Sequence, residues 1–596
     1  MGNEAIAYGA VEGGVQVVTG YPGTPSSEIL GTLAKLAPQK GFYVEWSINE
    51  KVALEVGVGA ALAGARTMVT MKQVGLNVAA DPLMSLAYVG VKGGLVLAVA
   101  DDPGPHSSQN EQDTRLFGRL AKVPVLDPAT PAEAREMARE AFEISERLQL
   151  PVILRPTTRT CHACQDMEIE AITYTSRKPE GFVKGPQWVI LPSLAAKKHP
   201  WLNQQQEKAR RIFEESAFNR VDPVSDGTTG RRAIIAGGVS YNYVREALDL
   251  LGIDLPVLKI GTPYPLPKRL IKDFLAGVEE VLVVEEQEPV IEDQIIVMLH
   301  RYSAPVTVRG KGDGLVPREG EFNVNKVADS IARFLDVPPP AANTVSLPDL
   351  PRRGPVLCAG CPHRASFYVF KEAVQGMDAV FTGDIGCYTL GIAAPLEAVD
   401  TALCMGASIG MAAGLHQVEP GRKHVAFLGD STFFHMGVPG LINAVYNGAD
   451  ITVVVLDNHT TAMTGHQPHP GTGRRATGDV AEVVNIAELA RACGVKLVRE
   501  VDPLVPTAAI RAAREALEYP GPAVVVMRRA CVALRKNKFR YRVKAAECSE
   551  CNACLLTLGC PAIEERDGKP YISDKCTGCG FCSRICPSKA IERVPS

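Results

Sequence analysis

Cys576-Thr577-Gly578-Cys579-Gly580-Phe581-Cys582-Ser583-Arg584-Ile585-Cys586-Pro587 sets four cysteines in the pattern C-x2-C-x2-C-x3-C-P. That spacing presents thiolates to a 4Fe-4S cubane. A second run lies upstream, Cys548, Cys551, Cys554 and Cys560 followed by Pro561. Zinc sites take cysteines in pairs, and disulfide frameworks belong to small secreted domains in oxidising compartments. Two runs that each end in Cys-Pro fit neither.

The pattern is that of bacterial two-cluster ferredoxins, in which three cysteines of one run join the fourth of the other. Cys548, Cys551, Cys554 and Cys586 are therefore expected to hold one 4Fe-4S cluster, and Cys576, Cys579, Cys582 and Cys560 a second. The first run departs from the usual spacing, with five residues between Cys554 and Cys560. The two runs are the only internal repeat.

The rest of the chain reads as parallel α/β units. Residues 1–170 alternate strand-like runs (Val15–Thr19, Thr67–Met71, Gly94–Val99, Val152–Leu154) with helical stretches such as Pro131–Leu148. The stretch 171–230 reads as a connector without strands, loop over Pro179–Pro192 and a polar helix over Gln204–Glu215. A second α/β unit occupies 231–337, with strands Ala233–Ala236, Val257–Ile260 and Val281–Val284; Gly237-Gly238 after the first of these reads as a tight turn. Residues 338–353 are proline-rich linker. A third α/β unit spans 354–532, with strands Val425–Leu428, Thr452–Leu456 and Ala523–Val526 and helices Met405–His416 and Val438–Tyr446. The ferredoxin-like module takes 540–596. The expected fold class is thus multidomain α/β with parallel sheets and a C-terminal two-cluster module.

At 596 residues, 46% hydrophobic and 22% charged, the composition is that of an ordinary soluble protein with room for several cores. A net charge of -3 gives no reason to invoke nucleic acid or an anionic membrane as partner. Met1–Ile6 lacks the basic and apolar regions of a secretory signal, and the expected location is the cytoplasm.

Two strand ends in the third unit carry the polar residues: Gly429-Asp430-Ser431 after the first and Asp457-Asn458-His459-Thr460 after the second. Open α/β sheets bind ligands at such C-terminal strand ends. A hard cation bridging a diphosphate needs a few oxygen ligands, and Asp430, the Asn458 amide oxygen and the Thr460 carbonyl supply three. The arrangement resembles the thiamine diphosphate motif, Gly-Asp-Gly followed near thirty residues later by Asn, with Ser431 in place of the second glycine.

A thiamine motif and a ferredoxin module in one chain resemble the large (alpha) subunits of indolepyruvate:ferredoxin oxidoreductases, within the 2-oxoacid:ferredoxin oxidoreductase family. The resemblance runs through Gly20-Tyr21-Pro22-Gly23-Thr24-Pro25-Ser26-Ser27-Glu28, Asn49-Glu50-Lys51-Val52-Ala53, Lys72-Gln73-Val74-Gly75-Leu76-Asn77, Cys358-Ala359-Gly360-Cys361-Pro362-His363 and Gly383-Asp384-Ile385-Gly386-Cys387. It implies a pyrimidine-binding thiamine domain over 1–170, a transketolase C-terminal-like domain over 231–337, and a diphosphate- and magnesium-binding domain over 354–532 that includes Gly429. It assigns to Glu50 the carboxylate that hydrogen-bonds the cofactor ring and promotes its activation, and to Thr24 a contact with substrate. A third, proximal 4Fe-4S cluster is implied at Cys358, Cys361, Cys387 and Cys531.

The implied reaction is oxidative decarboxylation of aryl pyruvates to acyl-CoA and CO2, with electrons passed through the clusters to ferredoxin. Another 2-oxoacid substrate, or a non-oxidative thiamine decarboxylase, are the alternatives. The implied partners are a small (beta, gamma-like) subunit, in a heterotetramer of two large and two small subunits, ferredoxin and coenzyme A. Cys161-His162-Ala163-Cys164 is read as structural despite its C-x-x-C spacing, and Cys404 and Cys493 as core residues.

Overall fold

Runs of Val, Ile, Leu and Ala with no polar alternation suit strands buried on both faces, and parallel sheets flanked by helices provide that setting. The computed structural model describes residues 1–168, 174, 177–223, 231–340, 348–351, 354–535 and 537–595. They fall into two compact units, Met1–Ser346 and Leu347–Ser596.

The first unit holds two sheets. Strands β1 (Val17–Gly20), β2 (Tyr43–Trp46), β3 (Thr67–Lys72), β4 (Leu95–Ala100), β5 (Val125–Leu126) and β6 (Val152–Leu154) form a parallel sheet in the order β2-β1-β3-β4-β6-β5. Strands β7 (Arg220–Asp222), β8 (Arg232–Gly237), β9 (Val257–Ile260), β10 (Glu280–Val284) and β11 (Thr307–Arg309) form a second sheet in the order β11-β10-β8-β9-β7, with β7 antiparallel on β9. Strand β7 corrects the reading of 171–230 as strand-free. It is short and half exposed, and only its pairing with β9 makes it a strand. The polar helix there runs over Pro192–Glu214, longer than expected because it passes through Pro200, and one helical turn, Pro186–Trp188, lies within the expected loop. Parts of the connector (171–173, 175–176, 224–230) and of the linker (341–347, 352–353) lie outside the described residues. Gly238 (φ 48°) is a tight turn in which a side chain would meet the Asp127 carboxylate at 2.5 Å.

Buried charge ties the two sheets of this unit. Arg115 donates to Asp113 and, across to the second sheet, to Glu285 (2.6 Å) and the Glu286 carbonyl (2.7 Å). Arg155 donates to Asp101 (2.7 Å), Asp127 and Gln287. One oxygen of the Glu286 carboxyl accepts the Phe322 N–H at 2.8 Å, and the other has no partner among the described residues. Burial pushes its carboxyl from the ordinary 4.5 up to about 7. The native chain therefore holds a proton that the unfolded chain releases between these values, and stability falls as pH rises through that window, by about 3 kcal/mol. Glu286→Gln should accordingly melt above the parent at pH 8, with the gap closing near pH 4.5; a pH-independent gap would contradict this origin.

The second unit holds β12 (Ala379–Thr382), β13 (Lys423–Gly429), β14 (Thr452–Asp457), β15 (Leu497–Val501) and β16 (Ala523–Arg528), all parallel, in the order β12-β13-β14-β16-β15. Two cores cover its faces, one around Phe367, Phe370 and Phe427 and one around Phe433, Leu441 and Val455. The cysteine module follows as two antiparallel ribbons, Phe539–Val543 with Ile591–Pro595 and Ile563–Arg566 with Lys569–Ile572, packed around Leu558, Phe581 and Ile591. No helix among the described residues is long and apolar enough to cross a membrane.

Candidate active site

Gly429 pairs with Leu456 in the β13–β14 register, which brings Asp430 and Asn458 to the same C-terminal edge of neighbouring strands. Asp430 is buried, and its carboxylate accepts Ser431 N–H (2.8 Å) on one oxygen and Asn458 N–H (3.1 Å) on the other. His469 Nε2 stands 3.0 Å from that second oxygen. The Gly471 N–H donates to His469 Nδ1 (3.1 Å), which leaves the ring proton to Nε2. Burial opposes ionisation of Asp430, but His469 and the Ser431 N–H outweigh it and hold the carboxyl below its ordinary value. The site thus keeps a buried anionic oxygen, the first requirement of a cation–diphosphate anchor.

Asn458 is aimed by a second histidine. Its Nδ2 lies 3.3 Å from His363 Nε2, and burial, opposed by Asp430, takes His363 down to about 4, so the neutral ring accepts the amide proton. The other end of the amide is set as well, with the Asn458 Oδ1 accepting Thr460 N–H (3.1 Å). Thr460 is buried beside it, after His459 in left-handed conformation (φ 59°). A side chain at Gly429 would meet the Tyr388 ring at 2.8 Å. Tyr388 donates to Asp384, whose other oxygen accepts Gly406 N–H (3.1 Å) at the entry to the helix Ala407–Val418. Leu403 and Cys404 precede that helix on an exposed loop, so Cys404 is not the core residue expected; inward packing begins only at Ser408 and Ile409.

In the first unit Glu50 opens the helix Glu50–Leu62, capped by the Asn49 side chain on Val52 N–H (2.9 Å). Its carboxylate is buried, not an exposed helix-start charge. A Cβ at Gly75 would lie 2.5 Å from Glu50 Oε1, so Gly75 leaves the room the carboxylate occupies. Gly75→Ala is therefore expected to fold and bind thiamine diphosphate yet to turn over more slowly, by about tenfold or more for a displaced acid–base group; unchanged turnover would show that the Glu50 position is not critical. Thr24 is half-buried, with its carbonyl accepting the Ser107 hydroxyl at 3.2 Å.

The cysteines come together in sets. Cys560, Cys576, Cys579 and Cys582 line one largely apolar cavity. Burial, then the neighbouring Cys579, Cys560 and Cys576, pushes the Cys582 thiol well up. The five-residue spacing of the first run is absorbed by the helix Ala553–Leu558, which Gly559 ends in left-handed conformation (φ 53°) ahead of Cys560. Cys554 lies within electrostatic reach of Cys586 and Cys548. Cys551 is exposed, between Glu550 and Asn552, both at positive φ (54° and 52°).

A further set joins Cys358, Cys361, Cys387 and Cys531. Burial, then Cys387 and Cys358, takes the Cys361 thiol up to about 12, and burial with Cys531 and Cys358 takes Cys387 to about 11. Thiols that oppose one another's ionisation are relieved when iron replaces their protons. Among the described residues no three His, Cys, Asp or Glu side chains converge on a single metal ion; a cubane takes one thiolate on each of four irons, so its ligands ring a cavity instead. Cys161 is buried and Cys164 exposed, and they form no such set.

Known proteins carry the same order of parts. Residues 8–209 match the family model for the thiamine diphosphate-binding domain of pyruvate flavodoxin/ferredoxin oxidoreductase, and 223–345 the indolepyruvate oxidoreductase domain. Residues 384–527 match the C-terminal TPP-binding domain of thiamine pyrophosphate enzymes, and 569–592 a 4Fe-4S binding domain. The chain is 46% identical to indolepyruvate oxidoreductase subunit IorA of Archaeoglobus fulgidus over all of this chain and 97% of that one. The chain belongs to the IorA family. The IorA subunits of Methanothermobacter marburgensis (44%, 99% of this chain and 96% of that one) and Pyrococcus horikoshii (43%, 100% and 96%) are similar throughout.

Spacing pointed to Asp430, Asn458 and the cysteines. It gave no sign of His469, His363, Gly75 or Tyr388, which act through partners distant in sequence.

Proposed function

We propose that this chain is the catalytic large subunit of a thiamine diphosphate-dependent 2-oxoacid:ferredoxin oxidoreductase whose substrate is indolepyruvate. The observation that carries this reading is the joint presence, in the second unit, of the buried Asp430–Asn458 pair and of cysteines gathered in sets beside it. A non-oxidative decarboxylase has no use for those thiols, and a simple electron carrier has none for Asp430, Asn458 and Glu50.

When bound, thiamine diphosphate supplies the electron sink for decarboxylation. Asp430, the Asn458 Oδ1 and the Thr460 carbonyl would hold Mg2+ against its diphosphate, with His469 keeping Asp430 charged and His363 aiming Asn458. Glu50, seated against Gly75, would hold the proton that activates the ring, and Thr24 would contact the substrate. The balanced reaction is 2-oxoacid anion plus coenzyme A giving acyl-CoA, CO2, a proton and two electrons. Cys358, Cys361, Cys387 and Cys531 would hold one cluster and the two C-terminal cysteine sets two more, each able to supply a one-electron acceptor between the cofactor and ferredoxin. The working assembly would be two large and two small subunits. The full names of the IorA relatives support indolepyruvate as substrate and a partner subunit.

The test is dye reduction by the complex with its small subunit across a panel of 2-oxoacids, with and without coenzyme A. Indolepyruvate should give the highest kcat/KM, with sustained turnover only when coenzyme A is present. A preference for an aliphatic 2-oxoacid would displace the substrate assignment, and release of CO2 without dye reduction would favour a decarboxylase.

A further inference from the structure

Arg364 lies in the first turn of the helix Pro362–Ala373, three residues after Cys361, and only 5% of it is exposed. Its guanidinium donates Nη1 to the carbonyls of Leu558 (2.8 Å) and Gly559 (2.5 Å), Nη2 to that of Leu357 and Nε to that of Cys358 (3.4 Å). Leu357 and Cys358 belong to the proximal cysteine loop, and Leu558 and Gly559 to the helix end that delivers Cys560. One cation thus clasps the backbones of two cysteine sets.

The sets are neighbours. Thr577 donates its hydroxyl to the Ala359 carbonyl at 3.2 Å. A Cβ at Gly360 would lie 2.0 Å from Thr577 Oγ1 and 3.5 Å from Cys579 Cβ. Arg364 and Cys361 also line the cavity ringed by Cys560, Cys576, Cys579 and Cys582. The thiols of Cys560, Cys361, Cys358 and Cys579 all lie within electrostatic reach of its charge.

Among the described residues no carboxylate pairs with Arg364. By contrast Arg529, also near Cys579, is neutralised by Asp502 at 2.8 Å. A buried cation that meets only carbonyl dipoles is costly and calls for an anion nearby. A cubane ringed by four thiolates is a net anion, and reduction adds one more negative charge.

We infer that Arg364 is a shared electrostatic control for two adjacent clusters, at Cys358/Cys361/Cys387/Cys531 and at Cys560/Cys576/Cys579/Cys582, raising the reduction potential of both together. The inference rests on the cluster reading proposed above. Its consequence is that both adjacent sites become easier to reduce, so that the pair of electrons released in one turnover has two adjacent acceptors. Arg364 is a positioning residue and touches no substrate.

The test is an anaerobic redox titration of the holo complex followed by electron paramagnetic resonance, on the parent, Arg364→Gln and Arg364→Lys, with iron counted in each. Arg364→Gln is expected to make two of the three cluster signals harder to reduce by about tenfold, 59 mV for a one-electron couple, and to leave the third in place. Arg364→Lys keeps the charge and should hold all three near the parent values. If Arg364→Gln loses iron, Arg364→Lys decides: parent-like potentials uphold the inference, and a fall in two signals overturns it. It is also overturned if Arg364→Gln leaves every potential unchanged, moves all three alike, or shifts no further than Arg364→Lys. Fewer than about twelve irons in the parent would instead remove the three-cluster reading beneath it.

Discussion

Asp430→Ala is expected to weaken thiamine diphosphate binding by about a hundredfold or more, since it removes a first ligand where loss of an outer partner alone costs 10–100-fold. The variant also removes the carboxylate that stands 3.0 Å from the buried His469 Nε2. The damage lies in binding, so high cofactor and magnesium should restore part of the turnover by mass action. Titration of apoenzyme with cofactor, followed by tryptophan fluorescence or calorimetry, reads the change. Unaltered affinity would show that the cation anchor is elsewhere.

Glu50→Gln is expected to fail in the opposite way. Glutamine keeps the shape that packs against Gly75 but cannot hold the proton as a carboxylate does, so cofactor affinity should stay near the parent while turnover falls by about a hundredfold or more, as for loss of a general acid or base. No excess of cofactor or magnesium should recover it. Isotope exchange at the thiazolium carbon, measured with cofactor bound, isolates the step. Parent-like exchange in Glu50→Gln would place the activating carboxylate on another residue.

The strands legible in the sequence are the interior ones. β6 and β9 fall where the runs Val152–Leu154 and Val257–Ile260 place them, and β4, β13, β14 and β16 within a residue or two, because strands covered on both faces are written as unbroken apolar runs. The strands that left no such mark sit at sheet edges: β2, with Glu45 in it; β15, with Arg499 and Glu500; and the short β5, β7, β11 and β12. One side of an edge strand meets solvent or a loop, so polar residues are tolerated and pairing alone makes the strand. The site divides along the same line. Asp430 and Asn458 were legible because strand ends fix them, whereas His469 arrives on an irregular loop and His363 on a helix that starts next to a cysteine turn, and no period links them to the residues they serve. Cys551 carries the spacing of a ligand and lies exposed between two left-handed neighbours, a backbone property that spacing does not encode.

The claim that decarboxylation and the cysteine sets work as one machine is tested most directly by rapid mixing. The anaerobic complex of this chain with its small subunit, loaded with thiamine diphosphate and magnesium, is mixed with indolepyruvate without coenzyme A and frozen for electron paramagnetic resonance. The account predicts that a reduced 4Fe-4S signal grows as CO2 is released, and that coenzyme A accelerates delivery of the second electron. Release of CO2 with every cluster still oxidised would contradict it.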